Sequence, residues 1–355
     1  MLRRSLASVA MLLIVIPEIG CGSSTPKGGG NPAYVTVRGT NRLFAYTLNG
    51  VGELQEISKS PFVTGTSPSA VAVHPSGKFI YVANSADSTV WVYTVDSQGG
   101  LTQASQVRVG LNPSALAIDA GGAFLFVANE GSDSVTGYSI DSGTGALTFV
   151  AGSNISTSSP VALALTPSAK FLYVANANTA SVSGFSVTAG ALAPLAGVPV
   201  AVGSNPSSIA IDQGGHFLYV SSVAANALWG FSINASSGLL SSVPSSPLST
   251  GTHPLGVTFD TTGKFLYTAN SGSNNVSGFS IDANTGAATA ISGSPFTAGT
   301  APVFVAADPA GGFLYSGNQG SNNISAFSVD SNSGALKSAG TTGTGDSPSA
   351  MALGK

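Results

Sequence analysis

Charge and sulfur are both scarce in this chain. Only 8% of its 355 residues are Asp, Glu, Lys or Arg, and Cys21 is the one cysteine. A single thiol excludes any internal disulfide, so stability has to come from the packed core. The net charge is −3 and arginine stops at Arg108, which leaves no basic footprint for nucleic acid. Three histidines, His74, His216 and His253, are too few for the multi-histidine copper or zinc centres of redox propellers. No G-x-S-x-G elbow, H-E-x-x-H pair or phosphate-binding loop is present. No metal and no cofactor is therefore expected. The N-terminal apolar run, Ser5 to Ile16, has 12 residues, short of the ~20 that a membrane-spanning helix needs.

What that run does have is the form of an export signal. Leu2-Arg3-Arg4 precedes it and Ile19-Gly20-Cys21 follows it. Residues 1–20 resemble a bacterial lipoprotein signal, in which the cysteine becomes the acylated first residue. Glu18 departs from that pattern, since an aliphatic residue normally stands three places before the cysteine. The resemblance implies an exported protein, periplasmic or at the cell surface, joined to a membrane only through lipid on Cys21. Residues 21–32, which include the stretch GSSTPKGGGNP, read as a flexible Gly/Ser tether.

The abundant feature is a phrase. Phe79-Ile80-Tyr81-Val82-Ala83-Asn84 returns as FLFVAN from Phe124, FLYVAN from Phe171, FLYVSS from Phe217, FLYTAN from Phe265 and FLYSGN from Phe313, with a truncated copy at Ala33–Thr36. Its aromatic positions, 34, 81, 126, 173, 219, 267 and 315, are 45 to 48 residues apart. Seven copies of so long a unit mean a repeat architecture.

One unit predicts four strands. Ser69–Val73 opens behind Pro68, the turn His74-Pro75-Ser76-Gly77-Lys78 follows, and Phe79–Ala83 forms a second strand. Val90–Val95 is the third, and a weaker fourth starts at Leu101. The second strand is apolar on both alternating faces, so something must cover both. Radial stacking of sheets provides that cover. The first strands carry small residues on one face, which suits crowding near an axis; Phe304 breaks the pattern and is expected to plug the channel. The third-strand aromatics Tyr46, Tyr93, Tyr138, Phe185, Phe231, Phe279 and Phe327 are expected between blades. The described pattern begins at a second strand and ends on a first strand, Ser349–Leu353. The expected fold is all-β: a seven-bladed β-propeller of four-stranded antiparallel blades over residues 33–355, closed by the C-terminal strand joining the N-terminal blade.

The phrase, with Pro-Ser-x-x-Ala before it and turns such as Pro-Ser-Gly-Lys, resembles the YVTN repeat and the seven-bladed lactonase family typified by 6-phosphogluconolactonase. That family's His, Arg and Glu at the channel mouth are matched locally by Thr252-His253-Pro254 and Asn129-Glu130. No Arg precedes His253, and the arginine cluster expected for a phosphate is absent.

Topology places the rarer polar groups on one rim: Arg38, Asn41 and Arg42; Glu130 and Asp133; Asn112, Asn205, His253 and Asp346; and the pairs Asn274/Asn275 and Asn322/Asn323. Two readings follow. In the first, a monomeric scaffold binds a glycan, a peptide or an envelope protein through this Asn-rich rim. In the alternative, suggested by the resemblance, the protein hydrolyses a sugar lactone, with His253 or Glu130 as base and Arg38 or Arg42 facing the oxyanion. The Asp residues of the other rim, with His74 and His216, fit turn-forming roles.

Overall fold

The computed structural model describes residues 31–354. The export signal, Cys21 and nearly all of the tether lie outside the described residues. Seven antiparallel sheets follow one another along the chain. In blade 2 the strands are Pro68–Val73, Phe79–Asn84, Thr89–Val95 and Leu101–Arg108. The inner strands neighbour each other in chain order, and Pro348–Leu353 lies between Pro302–Ala307 of blade 7 and Pro68–Val73 of blade 2.

Each blade starts on proline because the inner strand's first residue has no ladder hydrogen bond to donate, and a register shift follows it. The serine after that proline ties blades together. Ser69, Ser114, Ser207 and Ser349 donate from Oγ to the carbonyls of Pro113, Pro160, Pro254 and Pro68, the first residue of the next blade, at 2.5, 2.7, 2.8 and 2.9 Å.

The repeated phrase grips the neighbouring blade. Its Phe packs on a glycine in the next blade's outer turn: Phe79 on Gly145, Phe171 on Gly238, Phe217 on Gly286, Phe265 on Gly334 and Phe313 on Gly52. Those glycines have φ between +70° and +84°, and a Cβ would stand 2.3 to 2.6 Å from the phenyl ring, so both conformation and space demand glycine. The phrase's Tyr then donates to the carbonyl of the same glycine: Tyr81 to Gly145 at 3.0 Å, Tyr173 to Gly238 at 2.6 Å, Tyr219 to Gly286, Tyr267 to Gly334 at 2.7 Å and Tyr315 to Gly52 at 2.9 Å. The last of these crosses from blade 7 to blade 1. All seven third-strand aromatics are buried, at 5% exposure or less.

The ring closes as the chain ends require. Ala33, Tyr34, Val35 and Thr36 pair with Leu353, Ala352, Met351 and Ala350, and Val37 with Pro348. Two features depart from the expectation. In blades 1 and 3 to 6 the outer strand is split into two short pieces, both paired with the third strand. Phe304, expected to plug the channel, packs within its own blade. Its ring lies on Gly317, its cross-strand partner, where a Cβ would stand 2.0 Å from Cε1. Four other blades have Ala there, at 83, 128, 175 and 269, and a fifth has Ser221. The large side chain is accommodated by a small one opposite it within the same blade.

Candidate functional site at the upper mouth

Two sets of loops form one rim, here called the upper mouth: those leading into inner strands and those joining second to third strands. Backbone conformation explains much of its amide content. The residue before the inner strand is left-handed at Ser67, Asn112, Ser159, Asn205, His253 and Ala301, with φ from +49° to +58°. The residue before the third strand is left-handed at Asn41, Ser88, Asp133, Ala180, Asn226, Asn274 and Asn322, with φ from +47° to +56°. Asn and Asp are the non-glycine residues that tolerate this region best.

Hydrogen bonding then occupies several of these side chains. The Oδ1 atoms of Asn41, Asp133, Asn226 and Asn274 accept the backbone N–H of Ser67, Ser159, His253 and Ala301, at 2.8, 2.6, 2.8 and 2.8 Å. Each therefore caps the start of the next blade. One position earlier, Asp87, Ser132, Ser273 and Ser321 accept the N–H of Thr66, Leu111, Thr252 and Thr300. Asn275 and Asn323 accept from the buried Asn270 and Asn318, both at 2.8 Å. Asp346 accepts from Ser347 N at 2.6 Å, with its carboxylate lying flat on Gly39.

A smaller set remains available. Glu130 is half-buried and opens the one helical turn among the described residues, Glu130–Ser132. Asn112 Nδ2 donates to its Oε2 at 2.9 Å, and Ser159 Oγ lies 3.5 Å from Oε1. His253 is exposed, its backbone held by Asn226 and its ring over Gly272, where a Cβ would be 3.1 Å from Nδ1. The ring makes no hydrogen bond among the described residues, and neither do the side chains of Asn205 and Asn322. Arg38 is exposed, Arg42 is half-buried on the strand Arg42–Leu48, and neither forms an ion pair among the described residues.

The rim residues thus share one mouth but do not form one cluster. Arg38 and Arg42 belong to blade 1, Glu130 and Asn112 to blade 3, and His253 leads into blade 6. Only Glu130 and Asn112 are bonded to each other; no hydrogen bond or ion pair joins Arg38, Arg42, Glu130 and His253. Sequence reasoning missed Ser159, which lies beside Glu130 because the next blade's inner strand starts there, and Asn226, which occupies the capping register of Asn274.

On the opposite rim the histidines and the turn aspartates are engaged within the chain. His74 is buried, with Nδ1 2.8 Å from Ser76 Oγ and Nε2 2.9 Å from the Gly122 carbonyl. Asp119, Asp212, Asp260 and Asp308 accept backbone N–H groups of their own turns. His216 Nδ1 lies 3.5 Å from Asp212. Hydrogen bonds hold the outer-turn carboxylates below their usual range: backbone N–H groups first for Asp96 and Asp330, the hydroxyls of Thr144 and Thr285 first for Asp141 and Asp282. No group of three or more His, Cys, Asp or Glu able to hold a metal occurs among the described residues.

Comparison with known proteins agrees with this architecture. A family model described as lactonase, 7-bladed beta-propeller, matches residues 26–164, 162–306 and 289–353. A 6-phosphogluconolactonase of Pectobacterium atrosepticum is 32% identical over 89 residues, which is 24% of this chain and 27% of that protein. The chain therefore aligns with about a quarter of that relative's length. A candidate 6-phosphogluconolactonase from Bacteroides fragilis superposes with a TM-score of 0.81 at 20% identity, over 94% of this chain and 99% of that one. A periplasmic gluconolactonase from Pseudomonas aeruginosa superposes with a TM-score of 0.74 at 20% identity, over 92% and 99%. Hydrazine synthase of Kuenenia stuttgartiensis also superposes, with a TM-score of 0.63 at 18% identity over 83% and 94%, so likeness at this level concerns the fold. With a family model spanning the described ring from blade to blade, the chain belongs to the lactonase family of seven-bladed β-propellers.

Proposed function

We propose that the protein hydrolyses a sugar lactone at the upper mouth. The observation that carries this reading is Glu130: a half-buried carboxylate held by Asn112 on a propeller of the lactonase family. In the proposed reaction Glu130 takes a proton from water as the water oxygen bonds to the lactone carbonyl carbon. Arg38 and Arg42 supply donors for the oxyanion from the other arc of the mouth, and His253 supplies a donor to the sugar hydroxyls. The carbonyl then re-forms, the bond to the ring oxygen breaks, and that oxygen takes up the proton from Glu130, giving an aldonic acid that ionises to the aldonate and releases one proton to solvent. With no arginine cluster at this mouth, the substrate class is an unphosphorylated aldonolactone.

The test is base uptake in a pH-stat with glucono-δ-lactone, corrected for spontaneous hydrolysis. Glu130→Gln keeps an acceptor for Asn112 and should lower kcat/KM by about 10²- to 10⁴-fold, the range for losing a general base. His253→Asn should preserve the fold, because Asn112 and Asn205 already stand at this left-handed position, and should raise KM. A wild-type rate no faster than buffer, or a Glu130→Gln variant as active as the wild type, would sink the lactonase reading. The binding-scaffold reading has less support, because Asn41, Asp133, Asn274, Asn275 and Asn323 are engaged within the chain. A glycan, peptide or envelope partner would then rest mainly on Asn205 and Asn322.

We also propose that the protein is exported and acts as a monomer anchored by lipid at Cys21. Support comes from the sequence of residues 1–21 and from a structural neighbour that is itself periplasmic. Radiolabelled palmitate should enter the wild type, and Cys21→Ser should move the protein from the membrane fraction to the soluble one. A wild type without label would remove the anchor.

A further inference from the structure

Four blades carry a hydroxyl at one place on the third strand where blade 2 carries an aromatic ring, as do blades 1 and 5 with Phe44 and Trp229. Opposite Val82 blade 2 carries Trp91. The equivalent residues of blades 3, 4, 6 and 7 are Thr136, Ser183, Ser277 and Ser325. In those blades the hydroxyl accepts a hydrogen bond from the buried asparagine that ends the second strand, at 3.1, 2.9, 2.8 and 2.9 Å. Trp91 offers no such acceptor, and among side chains the buried Asn84 keeps only the bond to the residue five places on, Thr89, at 3.3 Å. The hydroxyl is replaced by an indole that packs in part on the cluster between blades 1 and 2 and leaves the rest of its surface open.

That indole lines a groove of about 430 Å³, open to solvent, together with Asp87, Thr89, Gln106 and Arg108. The outer hairpin builds it: Thr89 pairs with Arg108 and Trp91 with Gln106. The outer strand of this blade, Leu101–Arg108, is unbroken, whereas five other blades split theirs at this level. Continuity is what keeps Gln106 and Arg108 beside the indole. Both are exposed, and Arg108 has no ion-pair partner among the described residues. Asp87 is oriented by the Thr66 N–H on Oδ2, and its Oδ1 is unpartnered among the described residues. The contrast is Trp229 in blade 5, opposite Val220, whose indole N–H is buried beside Gly203 and which faces no such polar set.

We propose that this groove binds one pyranose unit of a glycan, on the outer strands of blade 2 beside the upper-mouth loop that carries Asp87 and apart from Glu130. The chemistry fits a sugar ring. An indole covers the apolar C–H face, while a carboxylate that accepts, a guanidinium that donates and an amide that does both match neighbouring hydroxyls. A volume within the ~300–1,000 Å³ of small-molecule sites is sufficient for such a unit.

The test uses the full chain and four tetrasaccharides: cello-, manno-, chito- and galacturono-oligosaccharide. At least one should change tryptophan emission saturably and give a calorimetric isotherm. Trp91→Phe and Arg108→Gln should each weaken that isotherm by about tenfold or more, one factor of ten being a modest loss of contact energy. Arg108 is exposed, so its variant keeps the test valid if Trp91→Phe is poorly folded by circular dichroism. Both variants should hydrolyse lactone at the wild-type rate, and Glu130→Gln should bind saccharide normally, which separates this proposal from the lactonase reading. No saturable signal with any of the four, or binding unchanged by Trp91→Phe and Arg108→Gln, overturns it.

Discussion

Deleting residues 348–355 should leave a chain that cannot hold the ring. The strand Pro348–Leu353 is the inner strand of blade 1, and it pairs with Ala33–Val37, whose residues are buried at 1% exposure or less. Its loss uncovers those residues, removes Met351 and Leu353 from the cluster around Val35 and Tyr315, and breaks the bonds of Ser349 to Thr36 O and Pro68 O, at 3.1 and 2.9 Å. It also opens blade 1 to both of its neighbours. A domain's net stability is only about 5–15 kcal/mol, and removing one of seven inner strands exceeds that margin. The expected result is no cooperative thermal transition by circular dichroism and association through the bared strand edge in size-exclusion chromatography. A circular permutant that links residue 354 to residue 31 and opens a distant loop should fold, since Gly354 N already donates to Pro32 O at 2.8 Å. A truncated chain that is monomeric and melts like the wild type would refute ring closure as the source of stability.

Alkali should unfold the protein between about pH 10 and 12, the interval between the ordinary tyrosine value and its raised native counterparts. All nine tyrosines are buried, at 4% exposure or less. Burial pushes every one of them up: Tyr34 and Tyr219 to about 12, Tyr46, Tyr81, Tyr93, Tyr173, Tyr267 and Tyr315 beyond that, and Tyr138 in the same direction. Below pH ~10 the phenols are protonated in both states and contribute no pH dependence. Above it the unfolded chain sheds protons that the native chain keeps, so stability falls as pH rises through the native values. Each phenol contributes a slope of at most about 1.4 kcal/mol per pH unit, so a handful acting together consumes the whole margin. Sheet circular dichroism should collapse together with a steep rise in tyrosinate absorbance. A smooth titration centred near pH ~10 with the sheet signal intact would contradict burial of these rings.

The ring was legible because its signal is repeated. One phrase fixes the second strand of each blade, its spacing counts the blades, and the mismatched ends show how they join; the third-strand aromatics then fall between blades as their spacing predicts. Sequence pattern could not show the splitting of the outer strands, because those short pieces carry little apolar alternation. Nor could it show where the Phe304 ring rests, since the glycine beneath it, Gly317, lies 13 residues downstream and meets it only across the sheet. The candidate site was legible only as a list. Asn41, Asp133 and Asn274 look like ligand groups in one dimension, yet each spends its side chain on the backbone of the following blade. Their role is set by a left-handed φ that composition does not reveal. Glu130 could be picked out from a local phrase, but its partner Ser159 comes from another repeat.

Both ends of the described chain lie side by side, Pro32 against Gly354, at the face opposite Glu130 and His253. A leash attached at either terminus would therefore moor the disc by its back. Whatever is joined there, the mouth that carries Glu130, His253, Arg38 and Arg42 lies on the other side of the disc.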